Sequence, residues 1–182
     1  MRRSTLALCM LIIPFILFAG GGSEEAPVAS TSTPPQTVIA GENWGFSWEF
    51  AAEEIEFTVM APTTGWVAIG FNPSRMMKDA HYILGYVADG QLFLRDDYGT
   101  GLTSHASDDT VGGAQHVRPL GHSEEGGVTT ITFALPLQAQ DAYDLDFVPG
   151  KAYKVLLAYG ANGADNFTGM HRKRASFDTV LD

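Results

Sequence analysis

Apolar and polar residues alternate with a period of two along much of this chain. Ile55, Phe57 and Val59 alternate with Glu54, Glu56 and Thr58, and Ile131, Phe133 and Leu135 with Thr130 and Thr132. That period sends one set of side chains to a buried face and the other to water, so each segment reads as a half-buried strand. Residues 65–71, 81–88, 91–98 and 153–159 are short runs rich in aliphatic and aromatic side chains, several of them bounded by Gly, Pro, Asn or Asp; these too read as strands. Asp89-Gly90, between two of the runs, is a strong two-residue hairpin signal. No long stretch keeps a helical period, and residues 135–143 are the most that reads as helix, one short turn region. Seven or more short strands in one domain predict an all-β fold, an antiparallel β-sandwich of immunoglobulin-like type.

The ends of the pattern set the domain organisation. Arg2 and Arg3 precede an uncharged apolar run from Leu6 to Phe18, followed by Ala19, Gly20, Gly21 and Gly22. That order is the order of a secretory signal, with cleavage expected after Gly21. The run is short for a transmembrane span and contains Pro14, so membrane attachment would come only through an uncleaved N-terminal anchor. Residues 22–40 are Ser, Thr, Pro, Ala and Glu with few large apolar side chains, too little to offset ordering entropy. They read as a flexible tether, and residues 41–182 as the folded domain. Within it, residues 99–127 are Gly-, Asp-, Ser- and His-rich, a long connection of the kind that often carries function.

Composition narrows the function. The chain has 21 Asp+Glu against 11 Lys+Arg, a formal charge of −10, the wrong sign for a nucleic-acid footprint. Loss of the signal removes two arginines and no carboxylate, which takes the charge of −10 to about −12. Cys9 is the only cysteine and lies in the signal, which excludes a disulfide framework, a thiolate zinc site and covalent haem attachment. An exported chain without disulfides points to a bacterial periplasm or cell surface, or to secretion.

A metal or haem site must therefore use His, Met, Asp or Glu. His81, His105, His116, His122 and His171 form no HExxH or HxxxH arrangement, and no GxSxG nucleophile elbow exists, so no catalytic constellation is evident. Asp96-Asp97 and Asp108-Asp109 lack calcium-loop spacing and read as solvated carboxylates. Trp44 and Trp48 share a strand face and, like Trp66, read as core.

Two constellations remain. Gly65-Trp66-Val67-Ala68-Ile69-Gly70-Phe71 is followed by Met76-Met77-Lys78-Asp79-Ala80-His81; the second is Leu157-Ala158-Tyr159-Gly160 with Met170-His171-Arg172-Lys173-Arg174. Together they resemble the DOMON domain, whose Gly-Trp strand leads into a Met-containing turn and whose late loop carries a histidine. The resemblance runs from Trp44 to the C-terminus. It departs at His81, where the family often has Asp, and at Lys78-Asp79, where it has smaller residues. In the haem-binding branch, typified by the cytochrome domain of cellobiose dehydrogenase, a b-type haem lies at one end of the sandwich. The resemblance implies Met77 and His171 as axial ligands, with Met76 and Met170 as neighbours able to compete, and Arg172 or Arg174 on a propionate. It implies an electron-transfer domain docking a separate redox partner, basic-surfaced to suit the acidic chain. The alternative is a haem-free module binding carbohydrate or a small aromatic molecule in the same sandwich.

Overall fold

The computed structural model describes residues 35–182; the expected signal and residues 22–34 of the expected tether lie outside the described residues. The described residues form eleven strands and one short helix: β1 (Gln36–Gly41), β2 (Trp44–Phe50), β3 (Glu54–Ala61), β4 (Val67–Phe71), β5 (His81–Ala88), β6 (Gln91–Gly101), β7 (Ser104–Ser107), α1 (Asp108–Val111), β8 (Arg118–Glu125), β9 (Val128–Pro136), β10 (Lys151–Tyr159) and β11 (Lys173–Leu181). They make two antiparallel sheets, ordered β1-β2-β3-β9-β8 and β11-β10-β4-β5-β6-β7. The expected β-sandwich is the observed one.

Alternation builds the five-stranded sheet. Ile55, Phe57 and Val59 of β3 pair with Leu135, Phe133 and Ile131 of β9 and all six are buried. Phe57 lies 5.0 Å from Phe71, 5.8 Å from Phe133 and 5.7 Å from Phe147 between ring centroids, so one aromatic ties both sheets together. Trp44 and Trp48 join this interior as expected, Trp44 edge-on to Tyr159 at 5.2 Å.

The six-stranded sheet is buried on both faces at its centre. Every residue of β4 is buried, and so are the first five of β5. Their inner set, Val67, Ile69, Phe71 and Ile83, faces the sandwich interior. The outer set, Ala68, Tyr82 and Leu84, forms a second apolar cluster with Trp66 and Ala80, covered by Met77 and Phe167. That second cover explains why these strands read as continuous apolar runs.

Three expectations change. Strand β1 starts at Gln36, inside the segment read as tether, because Val38 and Ala40 pack on the core once β1 pairs with β2. Residues 99–127 are not one long loop: they hold the end of β6, then β7, α1 and β8. Edge strand β8 is mostly exposed, so it carries no apolar alternation to read. Residues 135–143 contain no helix. After β9 the chain is held open by carboxylates that accept backbone N–H groups: Asp146 from Ala139, Asp144 from Gln140, and Asp141 from Tyr143, each at 2.8 Å. The Asp89-Gly90 hairpin forms as expected, with φ of 51° and 71° at its two central residues.

Candidate functional site

A cavity of about 830 Å³ opens on the outer face of the six-stranded sheet, within the size range of small-molecule and cofactor sites. It lies over the sheet, not at the end of the sandwich, because the interior between the sheets is filled by the aromatic core. Trp66, Ala68, Tyr82, Leu84, Leu156 and Ala158 make its floor. Gly70 shapes that floor: a Cβ there would stand 2.2 Å from the Tyr82 ring, so only glycine allows the ring to fold down onto β4. The Tyr82 hydroxyl is buried without a hydrogen-bond partner, and burial pushes the phenol well above its usual pKa.

One wall is the turn between β4 and β5. Met76 has φ of 54° and Asp79 of 63°, and the turn is closed by Ser74 N–H to Lys78 O at 2.9 Å. Its anchorage is on β6: Asp79 N–H donates to Gly99 O and Gly99 N–H to Ala80 O, both at 2.8 Å. A Cβ on Gly99 would meet Met77 O at 1.9 Å, so glycine is required for this close approach. Met77 packs on the outer cluster, whereas Met76 is 48% exposed; both reach the cavity.

The opposite wall is the stretch leading into β11. Gly169, Met170 and His171 line the cavity, and Arg172 N–H donates to Tyr159 O at 2.7 Å to fix the entry to the strand. Strand alternation then separates the basic residues. Arg174 pairs with Ala158 on the outer face and lines the cavity. Lys173 turns the other way, its Nζ 5.0 Å from the Trp44 ring centroid, and Arg172 is exposed and not among the lining residues. Met77, His171 and Arg174 thus share one cavity, with Met76 and Met170 beside them and Arg172 apart from it.

Asp96 and Asp97, read from the sequence as solvated, are fully buried, as is Asp108; of the four, only Asp109 is exposed. Successive side chains of β6 point to opposite faces of the sheet, Asp96 beside inward-facing Ile83 and Asp97 beside outward-facing Tyr82, and both are buried. Asp97 faces outward. It takes Arg95 in a two-pronged ion pair, with Nη2 to Oδ2 at 2.6 Å, and it also accepts from His105 Nδ1. Burial works against its charge, but His105 and Arg95 outweigh it and hold the Asp97 carboxyl below the usual range. His105 lines the cavity, oriented by a carboxylate as metal-binding histidines commonly are. The Arg95 guanidinium stacks over Phe167 at 4.4 Å. His105 was missed because a lone histidine in a polar stretch carries no signal until β7 pairs with β6.

Asp96 faces the interior, with His81 on the neighbouring strand and Asp144 from the loop after β9. Burial, the largest influence on His81, lowers its pKa, yet Asp96, Asp144 and Asp108 together raise it above the usual value. Asp108 is pushed up to about 7 by burial, and next by Asp96.

The sequence pattern of the DOMON domain matches residues 41–160, and the chain belongs to that family. Among curated relatives, it is 29% identical over 141 residues to "Putative DBH-like monooxygenase protein 2" of Homo sapiens, covering 76% of this chain and 26% of that protein. It is 27% identical over 143 residues to "DBH-like monooxygenase protein 1" of Homo sapiens, covering 78% and 21%. The chain thus spans about a fifth to a quarter of the length of these relatives. Two solved structures share its fold. The cytochrome b domain of pyranose dehydrogenase from Coprinopsis cinerea has a TM-score of 0.54 at 13% identity, covering 75% of each chain. The cytochrome domain of Myriococcum thermophilum cellobiose dehydrogenase has a TM-score of 0.57 at 11% identity, covering 81% of this chain and 82% of that one.

Proposed function

We propose that this DOMON domain binds haem b in the outer-face cavity and serves single-electron transfer with a separate redox partner outside the cytoplasm. The observation that carries the reading is the meeting of Met77 and His171, far apart in sequence, on one cavity. The donor set suits the group. Haem iron accepts a thioether and an imidazole, and the cavity offers Met77 and His171 for those roles. Its floor of Trp66, Ala68, Tyr82, Leu84, Leu156 and Ala158 is largely apolar, as contact with a porphyrin face requires. Arg174 supplies a cation for a propionate through a charge-assisted hydrogen bond. Haem b, when bound, would supply a reversible one-electron couple. The chain's own residues would do the rest: Met77 and His171 would hold the iron, Arg174 would orient the carboxylates, and Trp66, Tyr82 and Leu156 would exclude water from one face. The two cytochrome domains of the same fold favour this reading over a carbohydrate module. The acidic chain suits a basic partner met through steered, transient contact.

The test is the visible spectrum of the chain expressed with haem available. A Soret band is expected, shifted and weakened in Met77→Ala and in His171→Ala and retained in Met76→Ala. A colourless protein that binds a glycan or small aromatic molecule refutes the haem reading. Loss of the band in His105→Ala but not in His171→Ala moves the imidazole ligand to His105. Export is checked by N-terminal sequencing of the mature chain, expected to begin at Gly22.

A further inference from the structure

We propose that His81, Asp96 and Asp144 form a second metal site, inside the sandwich and apart from the haem cavity, for a divalent ion of the zinc class. This goes beyond the electron-transfer reading and does not rest on it. His81 is 4% exposed, its ring 6.4 Å from that of Phe71 and 6.3 Å from that of Phe147, and neither ring nitrogen makes a hydrogen bond. Asp96 is fully buried. Its Oδ1 lies 2.9 Å from His81 Nε2 but out of line for a hydrogen bond, and has no other partner. The Asp144 side chain is 5% exposed. Its Oδ2 accepts N–H groups from Gln140 and Asp141 and lies 2.8 Å from His116 Nδ1, while its buried Oδ1 has no partner. One donor atom from each of the three residues lies within 4.8 Å of the other two.

Buried polar atoms are nearly always paired, so unpartnered atoms on three neighbouring residues, His81, Asp96 and Asp144, call for a cause. Charge sharpens the point. Asp108, close behind them, is fully buried with both carboxylate oxygens unpartnered. Among the described residues, no lysine or arginine forms an ion pair with Asp96, Asp108 or Asp144. Asp96, Asp108 and Asp144 gather around His81, with only His116 beside Asp144 as a further basic group among the described residues, a concentration of buried carboxylates that a divalent cation would offset. Donors about 2.0–2.1 Å from a tetrahedral ion stand about 3.3 Å from each other, so the 2.9 Å between His81 and Asp96 would need to widen by only a few tenths of an ångström to admit one. An imidazole donor disfavours calcium and magnesium, which take oxygen, and favours zinc or a neighbouring transition ion.

Nearby, His116 and Asp141 make a more open cluster with Asp144. Their side chains are 25% and 22% exposed, and Asp141 is engaged by the N–H groups of Tyr143 and Ala114. We assign that cluster to holding Asp144 in place. None of His81, Asp96 and Asp144 lines the haem cavity, because Asp96 and Asp97 point to opposite faces of β6. The ion would fasten β5, β6 and the loop after β9 to one another.

The test uses the full chain, haem-free and stripped with chelator, titrated calorimetrically with ZnCl2, MnCl2 and CaCl2. One Zn²⁺ per chain and a raised melting temperature are expected. Asp144→Asn and His81→Gln should each weaken binding by at least about 100-fold, since losing even an outer-shell partner costs 10–100-fold. His171→Ala should leave binding intact, which separates this site from the haem ligands. Should His81→Gln fail to fold, Asp144→Asn decides, its fold verified by circular dichroism. No stoichiometric binding by folded wild type, calcium preferred to zinc, binding that survives Asp144→Asn, or binding lost in His171→Ala each overturns the proposal.

Discussion

Replacing Asp97 by Asn tests the wall of the cavity that carries His105. Asp97 is fully buried and joins Arg95 to His105, whose side chains are 26% and 21% exposed. Breaking a buried ion pair typically costs about 3–5 kcal/mol, and a hydrogen bond to a charged group is worth about 1.5–3. Two features lower the figure here. The partners can turn part of their charge to water, and Asn keeps one acceptor oxygen. A loss of about 2 kcal/mol at pH 7 follows. The pH dependence gives the sharper check. The folded carboxyl titrates below its ordinary value. Its contribution is therefore complete above the unfolded pKa of about 3.9 and is lost as pH falls through the lower folded value. Urea unfolding of wild type and variant from pH 7 to pH 2.5 should show a steady gap down to about pH 4, then convergence below it. Asp109→Asn, at the exposed neighbour of Asp108, serves as the control and should show no gap. A gap at pH 7 under about 0.5 kcal/mol, or one that stays constant to pH 2.5, refutes the reasoning.

Three further outcomes are expected. Phe57→Ala, which removes a ring shared by both sheets, should cost about 3–5 kcal/mol in urea unfolding. Gly70→Ala should drive the Tyr82 ring off β4 into the cavity, lowering haem uptake in a spectrophotometric titration more than it lowers stability. A chain beginning at residue 41 lacks β1 and should melt several degrees below one beginning at residue 35, about 5 °C or more by differential scanning calorimetry. Equal melting temperatures would show that β1 is dispensable.

The strands were legible wherever one face is buried and the other wet, as in β3 and β9, because a period of two records that asymmetry directly. Strand β8 was not legible: an edge strand with both faces open has no apolar set, and only its hydrogen bonds to β9 define it. Strand β1 was hidden for a related reason, since Val38 and Ala40 become core only against the finished sheet. Among site residues, Met77, His171 and Arg174 were reached through the DOMON resemblance. His105 and the His81, Asp96 and Asp144 group were not, because a carboxylate looks the same in sequence whether solvated or buried.

Local chemistry in the sequence determined the class of fold, the Asp89-Gly90 hairpin, and the restriction of any metal or haem ligand to Met, His and carboxylate. Each follows from the residue itself or its near neighbours. Tertiary structure alone decided which face of a doubly covered strand each residue meets. Adjacent carboxylates on β6 part to opposite sides of the sheet, Asp97 to His105 at the cavity and Asp96 to His81 in the interior. What buries each of them is supplied by strands and loops distant in the chain.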